Sequence, residues 1–393
     1  VEGYESIMKA ARRVENMPPY VFATLGRRIR ELVAKGNDVI RLDIGSPDLP
    51  PPDHVIETLY RAAQNPSRHG YGGYYGTPEL RRAMAAYYEN RFGVTLDPET
   101  EIAPLIGSKE GIANVALAFV DRGQVVLVPD PGYPTYALGT LLAEGVPYRV
   151  PLLEENGFLP DLGAIPGDVA RSARILWLNY PNNPTAATAT LDFFGTAVAW
   201  AKRHNVLICH DNPYCDVTFD GYVAPSLLQV PGARDVVLEF NSLSKTYNMA
   251  GWRVGMAVGN AEAVEALART KTNIDSGIFL PIQDASALAL TGDQAWLAER
   301  NEIYRERRDL ILTTLQQIGI QAARPVASLY LWPRVPDGYR SAEFTTRVLE
   351  EAAVSITPGS VFGQQGEGYM RISLGMSTDR IREAMERLRN LAL

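Results

Sequence analysis

The segment SLSKTYNMAGWRVG places Lys245 and Arg253 in a stretch that is otherwise mostly small or apolar, with Ser242 and Ser244 just ahead of the lysine. A buried cation without a partner costs several kcal/mol. Two chemistries remove that cost: an amine that condenses with an aldehyde is no longer an ammonium, and a guanidinium that meets a phosphate is paired. Gly107, Ser108 and Lys109 open KEGIANVALAF, where a helix amino terminus would aim backbone N–H groups at an anion. With Ser242, Ser244 and Arg253 they could hold a phosphate dianion. An aldehyde taken by a lysine beside a bound phosphate describes pyridoxal phosphate. Asp211, which ends VLICHD, adds a carboxylate.

Residues of this kind need a scaffold that gathers strand ends. DVIRLDI, QVVLVP, RILWLN, VLICHD and DVVLEF read as strands that are apolar nearly throughout, as strands covered on both faces are. PELRRAMAAYYENRFG, KEGIANVALAFVDRG and LDFFGTAVAWAKRHN read as helices, two stopped by a glycine and the third by an asparagine. The alternation predicts an α/β fold with a large, mostly parallel sheet covered by helices. Ligands then sit beyond the carboxyl ends of the strands, where Asn183, Asp211, Ser242, Ser244 and Lys245 fall. After about residue 280 come a long polar helix, WLAERNEIYRERRDLILTTLQQIG, the strands SLYLWPRV and YMRISL, and a last helix through STDRIREAMERLRNLAL. This is a smaller α+β unit, which VFATLGRRIRELVAKG could join from the other end of the chain. The expected division is 1–45 as amino-terminal arm and part of the small domain, 46–284 as the large domain, and 285–393 as the small carboxyl-terminal domain.

A chain of 393 residues exceeds one comfortable core, which also predicts two domains. A net charge of −7 with no run of Lys and Arg argues against a nucleic-acid surface. No apolar run approaches the roughly 18 residues of a membrane span, and VEGYESIMKAARR has no apolar leader core. Cys209 and Cys215 read as buried structural thiols, which suits a reducing, cytoplasmic setting. His54, His69, His204 and His210 show no ligand spacing, so no metal is expected, and His210 reads as a strand-end residue beside Asp211.

Taken with PDPGYPTY, NYPNNPT and CHDNPYCD, the segment SLSKTYNMAGWRVG resembles the fold type I, class I/II aminotransferases, over almost the whole chain and in that family's motif order. The resemblance implies that Lys245 carries pyridoxal phosphate as a Schiff base and, once displaced, moves the proton between the substrate Cα and the cofactor. It implies Asp211 at the pyridine nitrogen, Tyr214 and Asn183 at the ring oxygen, and Tyr133 stacked on the ring. Ser108, Lys109, Ser242, Ser244 and Arg253 complete the cofactor set; Tyr136 is left as core. Arg371, in the otherwise apolar YMRISL, needs an anion and matches the family's arginine for the substrate α-carboxylate. Gly45 of DIGSPDLP matches the glycine whose backbone approaches that carboxylate, with Asn183 beside it. Tyr71 in HGYGGYYGTPELR matches a tyrosine delivered across a homodimer interface to the neighbour's cofactor phosphate. Packing, turn and capping roles are the plain alternatives at these positions.

GSKEGI, LLEENGFLPDL and KTNIDSG, with the wording of NYPNNPT and SLSKTYNMAGWR, are similar to the LL-diaminopimelate aminotransferase branch. That resemblance implies exchange of an amino group between LL-diaminopimelate and 2-oxoglutarate, in lysine biosynthesis. Ala186 stands where the family usually carries glycine after NPT, and Ala250 where relatives of this branch often have threonine. No arginine for a distal substrate carboxylate is identifiable in the sequence. A broader alanine, aspartate or glutamate aminotransferase and a pyridoxal-phosphate β-lyase fit the same motifs. A ligand-sensing module of a transcription regulator would need a DNA-binding segment ahead of the fold, whose own first helix begins near residue 21.

Overall fold

Alternation inside each apolar run produces two cores from one sheet. Val126 and Val128 face one side and Leu127 the other; Ile175 and Trp177 oppose Leu176 and Leu178. The computed structural model describes residues 9–15, 17–18 and 21–391, so Val1–Met8, within the stretch read above for a leader core, lie outside the described residues. Its strands are β1 (Ile40–Arg41), β2 (Ile102–Leu105), β3 (Val125–Asp130), β4 (Val146–Pro151), β5 (Ala173–Leu178), β6 (Leu207–Asp211), β7 (Val237–Ser242), β8 (Gly255–Gly259), β9 (Tyr330–Leu331), β10 (Val354–Ser355), β11 (Thr357–Pro358) and β12 (Met370–Ser373).

Seven of them form the large sheet in the order β2-β8-β7-β6-β5-β3-β4. Six point the same way, and β8 alone is reversed, antiparallel to both its neighbours β2 and β7. Helices Ser108–Phe119, Thr135–Leu142 and Ala261–Thr272 cover one face through Ile112, Val115, Tyr136 and Leu267. Helices Pro78–Phe92, Leu191–His204 and Leu280–Thr291 cover the other through Leu80, Met84, Phe194 and Ala285. The fold is a mixed α/β architecture with a large central sheet between helices, as the alternation predicts.

Several local expectations are corrected. DVIRLDI contributes only β1, which pairs with β10 (Ile40 opposite Val354) and takes no part in the large sheet. Its apolar residues Ile40 and Leu42 belong to a separate core with Tyr304, Leu331, Phe344, Val354 and Ile372. Gly93 and Asn205 do stop their helices in the left-handed conformation. Gly123 does not: the helix ends at Phe119, Val120 turns extended, and Gly123 sits at φ +83° ahead of β3. SLYLWPRV shrinks to the two residues of β9. The strands β2, β4 and β8 were not foreseen, since β4 is an edge strand with mixed exposure and GMAVG carries little β-branched signal. Ile29 and Leu32 of the helix Val21–Ala34 pack on Leu349 of the helix Ser341–Ala352, beside which β10 begins, so the start of the chain lies against its last third.

Candidate active site

The parallel strands β5, β6 and β7 finish at one edge of the sheet, with Leu178, Asp211 and Ser242 at their carboxyl ends. Because β8 is antiparallel, its amino end meets the same edge: Gly255 lies opposite both Ser242 and Leu105. Arg253, just before β8, and Gly107 and Ser108, just after β2, therefore arrive beside Asp211 and Lys245. A cavity of about 420 Å³ results, and Gly45, Ser108, Lys109, Tyr133, Asn183, Asp211, Tyr214, Ser242, Ser244, Lys245, Arg253 and Arg371 all line it. Of the residues singled out in the sequence as site candidates, Tyr71 alone stands apart, 90% exposed on the surface.

Gly107 holds φ +72°, and a Cβ there would lie 2.2 Å from Arg253 Nη2, so a side chain would collide with the guanidinium. Arg253 is itself left-handed at φ +59° and donates to the Ala250 carbonyl at 2.8 Å. It is exposed, contrary to the expectation of a buried cation, because the amino end of β8 opens on the cavity mouth. The cost of burial falls on Lys245. Its half-buried amine donates to the Gly45 carbonyl. Burial, then repulsion from Arg371 and Arg253, lowers its pKa to about 7 against the pull of Asp211.

Asp211 is 5% exposed. Burial pushes its carboxyl up to about 6, opposed by the hydrogen bond from Tyr136 and by the charges of His210 and Lys245. Tyr136 Oη donates to Asp211 Oδ2 at 2.7 Å, while Oδ1 has no hydrogen-bond partner among the described residues. A buried carboxylate oxygen normally has a donor, and here the cavity is where one can come from. Asn179 ties the loop together: it donates to the Asp211 carbonyl and accepts from the Asn183 N–H, each at 2.7 Å.

Arg371 donates through Nη1 to Asn183 Oδ1 at 2.9 Å and through Nη2 to the Asp43 carbonyl at 2.8 Å. It lies over the rings of Tyr330 and Phe362. Tyr330 Oη is 2.9 Å from Tyr214 Oη, and a Cβ on Gly45 would come within 2.2 Å of that same Tyr330 oxygen. Behind the cavity, His210 Nδ1 is 2.8 Å from Glu239 Oε2, both fully buried. Burial alone would raise the Glu239 carboxyl, yet His210, Ser226 and Tyr88 hold it below the usual range. Buried Arg300 donates to the carbonyls of Lys245 (2.6 Å) and Asp216 (2.6 Å) and to that of Thr246, which fixes the turn bearing the lysine.

Sequence reasoning missed Arg41, Asp43, Asn179, Arg300 and Tyr330, and left Tyr136 as core. Tyr136 is in the core, but its hydroxyl is also the donor that Asp211 keeps. PDPGYPTY contained that signal; Asp43, Asn179, Arg300 and Tyr330 are tied to the site by contacts distant in sequence, and Arg41 by its fork on Asp43. Ala250 lines the site, whereas Ala186, at φ +58°, borders a separate cleft with Glu154, Trp332 and Arg334. Among the described residues no group of three His, Cys, Asp or Glu side chains could hold a metal, and no helix is long and apolar enough to cross a membrane.

A lysine, a buried carboxylate and an arginine gathered at the carboxyl edge of such a sheet are the equipment of amino-group transfer, and residues 37–388 match the family described as aminotransferase class I and II. The chain belongs to that family and is a transaminase. It is 52% identical over 384 residues to the LL-diaminopimelate aminotransferase of Moorella thermoacetica, covering 98% of each chain. It is 53% identical over 379 residues to that of Desulforudis audaxviator, covering 96% of this chain and 97% of the other. Among solved structures, substrate-bound BacF from Bacillus subtilis superposes with a TM-score of 0.94 at 37% identity over 98% of each chain. A probable N-succinyldiaminopimelate aminotransferase from Thermus thermophilus does so at 0.88 and 38%, over 94% of this chain and 99% of the other.

Proposed function

We propose that the protein is a pyridoxal-phosphate-dependent LL-diaminopimelate aminotransferase that passes the amino group to 2-oxoglutarate by a ping-pong mechanism. The observation that carries the substrate is the 52% identity with an LL-diaminopimelate aminotransferase over nearly all of both chains. Support for the cofactor comes from the orphan Asp211 Oδ1, which fits a protonated ring nitrogen, and from the cradle at Ser108, Ser242, Ser244 and Arg253, with Gly107 against the guanidinium, which fits a phosphate. Pyridoxal phosphate, when bound, supplies the aldehyde that takes up the substrate amine and a ring that draws electrons from Cα. Tyr133 would cover the ring, and Tyr214 and Asn183 would donate toward its oxygen. Lys245, whose pKa burial lowers to about 7, would take the Cα proton and return it on the other side of the transfer. Arg371, oriented by Asn183 and the Asp43 carbonyl, grips the α-carboxylate beside the backbone of Gly45.

In this reading the working unit is a cytoplasmic homodimer of chains divided near residues 45 and 284, with Tyr71 completing the neighbour's phosphate site. Tyr71, Tyr74, Tyr75, Ile274 and Phe279 are all exposed, and Gly72 and Gly73 pack against Ile278 and Gly277, so both loops present apolar side chains on one surface. The test is to incubate the holoenzyme with LL-diaminopimelate and 2-oxoglutarate and measure glutamate. Glutamate formation with parallel double-reciprocal lines is expected. Turnover of alanine or aspartate but not LL-diaminopimelate would contradict the substrate, and release of ammonia and pyruvate without an acceptor would indicate a lyase.

A further inference from the structure

The cavity contains one more guanidinium than the scheme above uses. Arg41 lines it together with Lys245 and Arg371, and its side chain is 31% exposed. Nε and Nη2 form a fork on the carboxylate of Asp43, 2.7 Å to each oxygen, while Asp43 itself is only 4% exposed. Arg41 Nη1 makes no hydrogen bond to the described residues. Asp43 thus serves two arginines: its carboxylate fixes Arg41, and its backbone carbonyl accepts from Arg371 Nη2 at 2.8 Å. One residue sets the spacing between the guanidinium placed for the α-carboxylate and a second guanidinium in the same cavity.

We propose that Arg41 binds the second carboxylate of a dicarboxylic substrate, with Asp43 as its positioning residue; this deepens, and rests on, the reading of the chain as a diaminopimelate aminotransferase. A planar guanidinium held at one edge by a buried carboxylate keeps its other edge for a further anion. Because Asp43 already immobilises it, little side-chain entropy remains to be lost when the ligand arrives. The ligand recognised is a carboxylate separated from the reacting amino acid by an aliphatic spacer. This supplies the distal-carboxylate arginine that the sequence alone does not reveal, in a segment that reads there only as a strand.

The test measures binding of two unreactive ligands to the holoenzyme by calorimetry: pimelate, the dicarboxylate with the carbon skeleton of diaminopimelate, and heptanoate, which lacks the second carboxylate. Wild type should bind pimelate more tightly. Arg41→Gln should weaken pimelate by about tenfold to a hundredfold with little effect on heptanoate, and Arg41→Lys, which keeps the charge but not the fork, should fall between. Equal weakening of both ligands in variants that melt like wild type would mean a structural role and overturn the proposal, as would a pimelate preference that is absent in wild type or survives in Arg41→Gln. LL-diaminopimelate turnover by wild type is measured alongside: its absence defeats the functional reading, whereas turnover with an unchanged pimelate preference in the variant defeats only the assignment of Arg41.

Discussion

Arg371, on β12 of the small sheet, donates to Asn183 at the edge of the large sheet across 2.9 Å, so its guanidinium links the two sheets inside the cavity. A substrate carboxylate at this point would touch both. Loss of the arginine should therefore appear as lost amino-acid binding. Arg371→Gln is expected to cost about 2–4 kcal/mol, roughly thirtyfold to a thousandfold in KM with a smaller change in kcat. Steady-state kinetics that show kcat reduced at constant KM would assign the arginine elsewhere.

Lys245→Ala should abolish transamination and leave the fold intact. The apoprotein of Lys245→Met gives a separate readout, because a folded pKa of about 7 lies below the usual lysine value. Between these values the unfolded chain binds more protons than the folded one, so wild-type stability rises with pH there. The stabilisation gained by Lys245→Met should be largest below pH 7 and shrink as pH climbs toward the ordinary lysine range. Denaturation midpoints at pH 6 and pH 9.5 measure it; a pH-independent difference would contradict the depressed pKa.

Tyr136→Phe removes the one hydrogen bond to the Asp211 side chain that lowers its pKa. The carboxyl should then titrate above the value of about 6 it holds now. Carboxylate NMR of the apoprotein reads the shift directly, and kcat of the loaded enzyme should fall by about tenfold as the carboxylate is less fully ionised.

Arg300→Met would leave the carbonyls of Lys245 and Thr246 without this donor, while that of Asp216 keeps Asn301 Nδ2 at 2.9 Å. The expected loss of stability is about 2–4 kcal/mol. Urea denaturation measures it, and a change within error of zero would show that water replaces the guanidinium.

If Tyr71 acts in the neighbouring subunit, two inactive variants should rescue each other. A mixed dimer of Tyr71→Ala and Lys245→Ala chains has one site with both residues intact. Refolding the two together should restore up to about a quarter of wild-type activity by random pairing. No recovery in a mixture shown to contain mixed dimers would place Tyr71 outside the site.

The parts of this site that were legible in the sequence are those set by strand ends. Asp211, Ser242 and Lys245 follow apolar runs, and a parallel strand delivers whatever follows it to one edge. Arg253 was legible as a residue of the cavity but its exposure was not, because the antiparallel course of β8 cannot be read from GMAVG. Tyr330, through Tyr214, and Asn179, through the Asp211 carbonyl, act on partners that only tertiary packing supplies, whereas Arg41 and Asp43 are two residues apart and their alternation on a strand also suits a plain surface pair. Gly123 shows the same limit in the fold: glycine marks a turn, but the geometry at Val120 decides where the helix stops.

The central claim is that Lys245 is the residue that takes the aldehyde. The most direct test is to reduce the pyridoxal-phosphate-loaded protein with borohydride, digest it and locate the pyridoxyl group by mass spectrometry. A single label on Lys245 is predicted. Label on another lysine, or none at a loading that supports turnover, would contradict the account.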